Sequence, residues 1–148
     1  MSGSKKARAT AARLFSVQAV YQALHAGKKP VSLVDEYLLH NVGMDLEDGK
    51  MVTPDETLFK SIVAGVTNRA EEIPSVLKAR FNAQDTDLLL KAILLCGIYE
   101  LMAHSDIDSP IIISDYLHVT HGFYHGTESR LVNGVLDAAA KEFKAASA

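Results

Sequence analysis

The sequence predicts an all-α fold, with a single domain of about seven helices over residues 1–148. Hydrophobic residues recur at spacings of three and four in several segments, which is the period of a helix with one buried face. No segment shows the alternation that is typical of a half-buried strand. Residues 88–102 are apolar on all faces except at Lys91 and Glu100, which predicts a helix buried at the centre of the domain.

The first helix is predicted over residues 5–26, and residues 1–6 at its start are expected to be frayed. Gly27 is expected to end this helix, and Pro30 to begin the second. The predicted apolar stripe of the first helix consists of Leu14, Val17, Tyr21 and Leu24. The predicted inner face of the second consists of Val31, Val34, Tyr37 and Leu38.

Residues 41–55 lose all periodicity and contain two glycines, several acids and a proline, which predicts an exposed, mobile loop. A third helix is predicted from about residue 55 to 70, with Gly65 allowing a close approach of another helix. A short segment over 74–80 precedes the central helix at 86–104, for which Asp85 and Thr86 are the predicted caps.

Ser109 and Pro110 predict the start of a further helix, and the last helix is expected to begin near Thr127. Within that last helix, Asn133 and Gly134 are interpreted as a buried pair that fixes the helix against a neighbouring loop.

The distribution of charge is uneven along the chain. Six of the 15 basic residues and none of the 18 acidic residues precede Asp35. Several of these cations fall in the first turns of the first helix, where the helix dipole favours anions. Such a segment is typical either of an arm that binds a polyanion or of a solvated tail, and the charges alone do not decide between them.

Few residues predict chemistry. The single cysteine, Cys96, lies in the apolar run and is interpreted as a buried hydrophobe in a protein of the reducing cytoplasm. His118, His121 and His125 are spaced for one helix face and could ligate zinc, but a solvated polar face is favoured. No nucleophile motif, phosphate loop, secretory signal or membrane span is present, so neither an enzyme, a cofactor nor a metal is predicted.

Four segments in order along the chain resemble the NusB family. They are SVQAVYQ at 16–22, LFKSIVAGV at 58–66, KAILLCGIYEL at 91–101 and VNGVLD at 132–137. The resemblance implies an all-α fold of two packed three-helix halves. It also implies a cytoplasmic transcription antitermination factor of ribosomal RNA transcription that is not an enzyme. The implied partners are boxA RNA, ribosomal protein NusE and the RNA polymerase antitermination complex, with no membrane.

The resemblance also implies two sets of site residues. The RNA-binding set consists of Lys5, Lys6, Arg8, Arg13, Gln18, Tyr21, Thr127 and Arg130. The partner-binding set, on the central helix and the one after it, consists of Lys91, Glu100 and Asp115.

Two alternatives remain open at this stage. The acidic remainder of the chain, together with Leu90, Leu95 and His118 at positions where the family pattern differs, is compatible with a diverged NusB-fold module that binds a protein without RNA. NusB-like domains also precede ribosomal RNA methyltransferases, but no methyl-donor-binding region is found in the 148 residues.

Overall fold

A computed structural model of the chain describes residues 3–34, 44–45, 51–69, 72–73 and 87–147. The central helix of this part is α3, Leu88–Ala103. It packs against four other helices: α1 (Lys5–Ala26), α2 (Glu56–Asn68), α4 (Ser109–Phe123) and α5 (Glu128–Ser147). The predicted all-α architecture is therefore confirmed, with five α-helices in the described residues where about seven were expected in the chain.

The bounds of α1 are those predicted from the sequence. Ser4 caps its start by accepting a hydrogen bond from the backbone N–H of Ala7, and Gly27 ends it with a φ of 69°, a left-handed conformation that favours glycine. Lys5 and Lys6 are already helical, so the expectation that residues 1–6 are frayed does not hold for them. The predicted stripe is offset, because Tyr21 is exposed while Phe15 and Val20 are buried.

The second predicted helix is a short 3₁₀-helix, Pro30–Leu33, in the described residues. Val31 is 45% exposed, so its assignment to an inner face is wrong. Val34 is buried as predicted, and Leu33 is buried in place of Val31, because the tighter 3₁₀ turn rotates successive side chains by more than an α-helix does. Tyr37 and Leu38 lie outside the described residues.

The predicted loop over 41–55 contains a small antiparallel pair, β1 (Met44–Asp45) with β2 (Met51–Val52). Val52 is only 4% exposed, and the backbone N–H of Asp55 donates to the carbonyl of Arg8 at 3.0 Å. The expectation of an exposed loop is therefore wrong at its second end, which packs against α1. Mobility of this segment stays a prediction, and residues 46–50 lie outside the described part.

The predicted close helix approach at Gly65 is confirmed on α2. A Cβ atom at Gly65 would collide with the ring of Tyr99 on α3, so the absence of a side chain lets the two helices meet. Asp55 caps α2 by accepting from the N–H of Leu58 at 3.0 Å. The segment predicted over 74–80 lies outside the described residues.

The helix starts differ from prediction by one or two residues. Asp87 caps α3 by accepting from the N–H groups of Leu89 and Leu90, whereas the predicted caps Asp85 and Thr86 lie outside the described residues. Asp108 occupies the cap position of α4, so Ser109 is its first helical residue.

The interpretation of Asn133 and Gly134 as a buried pair is wrong. Both are exposed, and a Cβ atom at Gly134 would meet nothing within 4 Å. The buried face of α5 consists of Val132, Val135, Leu136 and Ala139, and the helical period turns residues 133 and 134 away from it.

The main hydrophobic core surrounds α3 and includes Cys96, which is fully buried as predicted. Burial raises the pKa of the Cys96 thiol well above its ordinary value, and the nearby charge of Glu100 adds to the effect. Among the described residues, no helix combines the length and apolar character that a membrane crossing requires.

Candidate nucleic-acid interface

The first turns of α1 carry three cations, Lys5, Lys6 and Arg8, which we call the basic helix start. Lys5 and Lys6 are exposed, and Arg8 is half-buried. The Nε of Arg8 donates to the carbonyl oxygen of Thr53 at 3.1 Å, which ties this turn to the segment before α2. The basic helix start therefore has a defined position on the molecule.

A groove of about 820 Å³ lies between the start of α1 and the helix α4. Lys5 and Lys6 line it from α1, while Ile111 and His118 line it from α4. Ile111 is 56% exposed, which is unusual for so large an apolar side chain. The α1–α4 groove thus combines positive charge with accessible apolar surface.

Arg13 lies at the bottom of this region and is only 5% exposed. Its Nε and one terminal nitrogen donate to the two carboxylate oxygens of Glu100, at 2.7 and 2.9 Å. Its other terminal nitrogen donates to Asp115 at 2.8 Å. All three guanidinium nitrogens are engaged, so Arg13 does not fit the phosphate-contacting role that was predicted for it.

Glu100 on α3 is fully buried and was predicted to face a partner protein. That assignment is wrong, because its carboxylate binds other groups of the same chain. Besides Arg13, the hydroxyl of Tyr116 donates to it at 2.6 Å, and Nδ1 of His104 lies 3.0 Å from it. The predicted RNA residue Arg13 and the predicted partner residue Glu100 therefore form one buried ion pair.

The pKa values reflect this arrangement. Burial alone would raise the pKa of Glu100, but hydrogen bonds from His104, Arg13 and Tyr116, together with the charge of Arg13, lower it below its ordinary value. Burial raises the pKa of the Tyr116 hydroxyl, and the charge of Glu100 raises it further. For Arg13, burial lowers the pKa, but Glu100 and Asp115 more than compensate and raise it. The pair is therefore ionised at neutral pH.

Asp115 on α4 joins this cluster to the groove. Its side chain is 13% exposed and binds two successive turns of α1, through the guanidinium of Arg13 and the hydroxyl of Thr10, which donates at 2.8 Å. Thr10, His104 and Tyr116 were missed by sequence reasoning. The sequence did contain a signal for them. Arg13 and Glu100 are each the one charged residue on a helix face that is otherwise apolar, and a buried charge requires polar partners.

The remaining predicted RNA residues are spread over the surface. Gln18 is half-buried and Tyr21 is 39% exposed on α1, with the ring of Tyr21 at 6.3 Å from that of His25. At 1.5 Å per residue, Tyr21 lies roughly 22 Å along the helix from Lys6. Thr127 and Arg130 are exposed at the start of α5. The structure thus brings Lys5 and Lys6 together with α4, whereas Tyr21 lies farther along α1.

The histidines do not form a metal site in the part of the chain that the structure describes. His118 and His121 lie on α4, but that helix ends at Phe123, so His125 falls beyond it and the three do not share one helix face. All three are exposed, which matches the solvated face that was favoured. Of the predicted partner residues, Lys91 is half-buried on α3.

The fold and this site together define an all-α domain that presents a basic helix start beside an open groove. The chain belongs to the NusB family, because the sequence model of that family matches residues 10–141. The transcription antitermination protein NusB of Novosphingobium aromaticivorans is 39% identical over 145 residues, 95% of this chain and 97% of that protein. That of Caulobacter vibrioides is 33% identical over 146 residues, 96% of this chain and 98% of that protein.

A solved structure, T. maritima NusB, has the same fold. It superposes with a TM-score of 0.74 at 17% identity and covers 96% of this chain and 94% of its own. The resemblance found in four sequence segments is thereby confirmed, as is the all-α NusB-like fold. The chain is a member of a family of transcription antitermination factors.

Proposed function

We propose that this protein is an antitermination factor that binds boxA-type RNA of nascent ribosomal RNA transcripts together with ribosomal protein NusE. The observation that carries the proposal is the basic helix start beside the α1–α4 groove. Lys5 and Lys6 are exposed there, and no described residue forms an ion pair with either. A single-stranded RNA could place phosphates on these cations and a base against Ile111.

The charge of the chain makes strong binding to RNA alone difficult. With Arg13 buried, three cations remain at the helix start, and each neutralised phosphate of a single strand adds a salt slope of roughly −0.7. We therefore expect a slope of about −2 and weak binding on that arithmetic. The net charge of −3 repels RNA that strays from the helix start.

A second protein can supply the missing positive surface. NusE docked on α3 and α4, near Lys91 and Asp115, would lie beside the groove and extend the area available to phosphates. Glu100 is excluded from that contact by its burial. We therefore expect much tighter RNA binding by the pair of proteins than by this chain alone.

The experiment is fluorescence anisotropy of labelled boxA RNA across a salt series, with and without NusE. The double variant Lys5→Glu/Lys6→Glu should weaken binding strongly and flatten the salt slope. Its matched control, Lys28→Glu/Lys29→Glu, makes the same charge change at exposed residues beyond the other end of α1, roughly 33 Å away, and should bind nearly as the wild type does. Equal losses of RNA affinity in both variants would show that binding depends on the net charge of the protein and not on the basic helix start.

Arg13→Glu is unsuitable for this test, because it would bury a third carboxylate beside Glu100 and Asp115 and so unfold the domain. If NusE binds the chain tightly but boxA RNA binds neither the chain nor the pair, the proposal fails. The alternative of a protein-interaction module without RNA binding then accounts for the conserved fold.

A further inference from the structure

The α1–α4 groove contains a feature that its charge alone does not explain. Asp115 is the one acid among the described residues that line it, although the basic helix start forms the opposite wall. In a groove that receives phosphates, a carboxylate repels the ligand and should be disfavoured. Its presence needs a role that outweighs this repulsion.

The contacts of Asp115 indicate such a role. One carboxylate oxygen accepts from the hydroxyl of Thr10 at 2.8 Å and the other from the guanidinium of Arg13 at 2.8 Å. Residues three apart lie on the same face of a helix, so one side chain of α4 holds two successive turns of α1. The Thr10 hydroxyl also lies 3.1 Å from the carbonyl oxygen of Lys6, one turn nearer the helix start.

The opposite side of the helix start is held by different contacts. The carbonyl of Arg8 accepts from the N–H of Asp55, and the Nε of Arg8 donates to the carbonyl of Thr53. The first turns of α1 are thus held between the segment before α2 on one side and Asp115 on the other. Release of the Asp115 side would leave the helix formed but its start free to move away from α4.

We infer that Asp115 and Thr10 are positioning residues for RNA binding: they hold the basic helix start against α4 so that Lys5 and Lys6 face the groove. Neither residue needs to touch RNA. This inference rests on the proposed function, and it names the groups that set the geometry of that site. It reverses the simple electrostatic expectation, because removing an acid should then weaken the binding of a polyanion.

The decisive variant is Asp115→Asn, which removes the negative charge at nearly constant size. Its matched control is Asp106→Asn, at an exposed residue shortly before α4, which changes the net charge equally. Arg13 keeps both hydrogen bonds to Glu100 in the Asp115 variant, so the domain should still fold, which circular dichroism checks. We expect Asp115→Asn to bind labelled boxA RNA about tenfold more weakly than wild type, as loss of a charge-assisted hydrogen bond implies, and Asp106→Asn to bind equally or slightly better.

A second pair of variants leaves the charge unchanged. Thr10→Val removes the hydroxyl and should weaken RNA binding about fivefold, as expected for one lost hydrogen bond. Thr10→Ser retains the hydroxyl and should bind as wild type does. If Thr10 acted through packing alone, the opposite order would be expected. Serine loses the methyl group and would weaken binding, whereas valine keeps the volume and would not.

Hydrogen exchange of the peptide covering residues 5–13 gives a readout that does not need RNA. The amides of this peptide should exchange faster in Asp115→Asn and Thr10→Val than in their controls. The inference is overturned if wild type binds RNA and Asp115→Asn binds equally or more tightly, or if exchange is the same in all four variants. Failure of wild type to bind RNA, with or without NusE, overturns the proposed function, and the exchange rates still decide whether Asp115 holds the helix start.

Discussion

The central helix α3 contacts its neighbours in two different ways. Toward α2 and α5 the contacts are apolar and depend on missing side chains. The ring of Tyr99 occupies the space over Gly65, and a Cβ at Gly97 would lie 2.9 Å from a methyl group of Leu136. Toward α1 and α4 the packing also contains a buried polar contact, in which Glu100 is bound by Arg13 and Tyr116.

The two contacts fail for opposite reasons. The apolar contacts are disrupted by adding an atom, since a packed interior has no space for it. The polar contact is disrupted by removing one, because each buried group then loses the partner that compensates its desolvation. Among the described residues, no buried side-chain nitrogen or oxygen lacks a hydrogen-bond partner. The polar contact is therefore complete, and complete networks tolerate deletions poorly.

The largest effect is expected from Glu100→Ala, which leaves the Arg13 guanidinium buried without its main counter-charge. Breaking a buried pair in this way destabilises proteins by about 3–5 kcal/mol. Urea unfolding measures the loss, and Glu56→Ala serves as the control because Glu56 pairs with Lys60 at the surface. A loss below about 1 kcal/mol would show that the pair is not an essential contact of α3.

The apolar contact is tested by Gly65→Ala, which adds one carbon where the ring of Tyr99 lies. We expect a loss of about 1–3 kcal/mol from overpacking, against the gain in helix propensity. Gly134→Ala makes the same change at an open helical position and should stabilise the domain by up to about 1 kcal/mol. Thermal melts of both variants decide the matter, and similar melting temperatures would argue against a tight contact of α2 with α3.

The polar contact should also depend on pH, whereas the apolar contacts should not. Because the folded state lowers the pKa of Glu100, its ionised form contributes stability that is fully present above its unfolded pKa of about 4.3. This contribution is lost as the pH falls through the lower folded pKa. The difference in unfolding free energy between wild type and Glu100→Gln should therefore shrink in that acidic range. A constant difference would mean that Glu100 does not titrate with folding.

The smallest effect is expected for an ion pair outside the core. Lys141 and Asp137 on α5 lie 3.0 Å apart, but their side chains are 78% and 52% exposed. Lys141→Ala should change the stability by less than about 0.5 kcal/mol, because water and salt screen exposed pairs. A larger loss of unfolding free energy in urea would show that solvent exposure does not determine how much an ion pair stabilises this domain.

The sequence predicted the apolar part of this architecture better than the polar part. The apolar run at 88–102 predicted the central helix, and Gly65 predicted the close approach of α2. Both predictions follow from local sequence patterns. Gly134 was misjudged, since a glycine in a helix does not itself reveal whether a neighbour faces it. The end of α1 followed from Gly27, which acts within one turn, whereas the cap at Ser4 was not predicted.

The pairing of Arg13 with Glu100 could not be predicted in the same way. The two residues are 87 positions apart, so no helical period connects them. Each was assigned to a binding surface because the resemblance to the NusB family implied it. The available clue was that Arg13 falls in line with Val17 and Val20, and that Glu100 stands in a run without another acid. For the site, the sequence predicted the basic helix start but not the hydrogen bond between Thr10 and Asp115.

The long sequence separation within the ion pair affects how the protein forms during synthesis. Arg13 leaves the ribosome well before its counter-charges, which follow 87 and 102 residues later. At a synthesis rate of 5–20 residues per second, the delay before Asp115 follows is roughly 5–20 seconds. Until Glu100 has been synthesised, the first helix has neither of these counter-charges and its guanidinium stays hydrated. The buried ion pairs of Arg13 therefore form late, only after α3 and α4 have been synthesised.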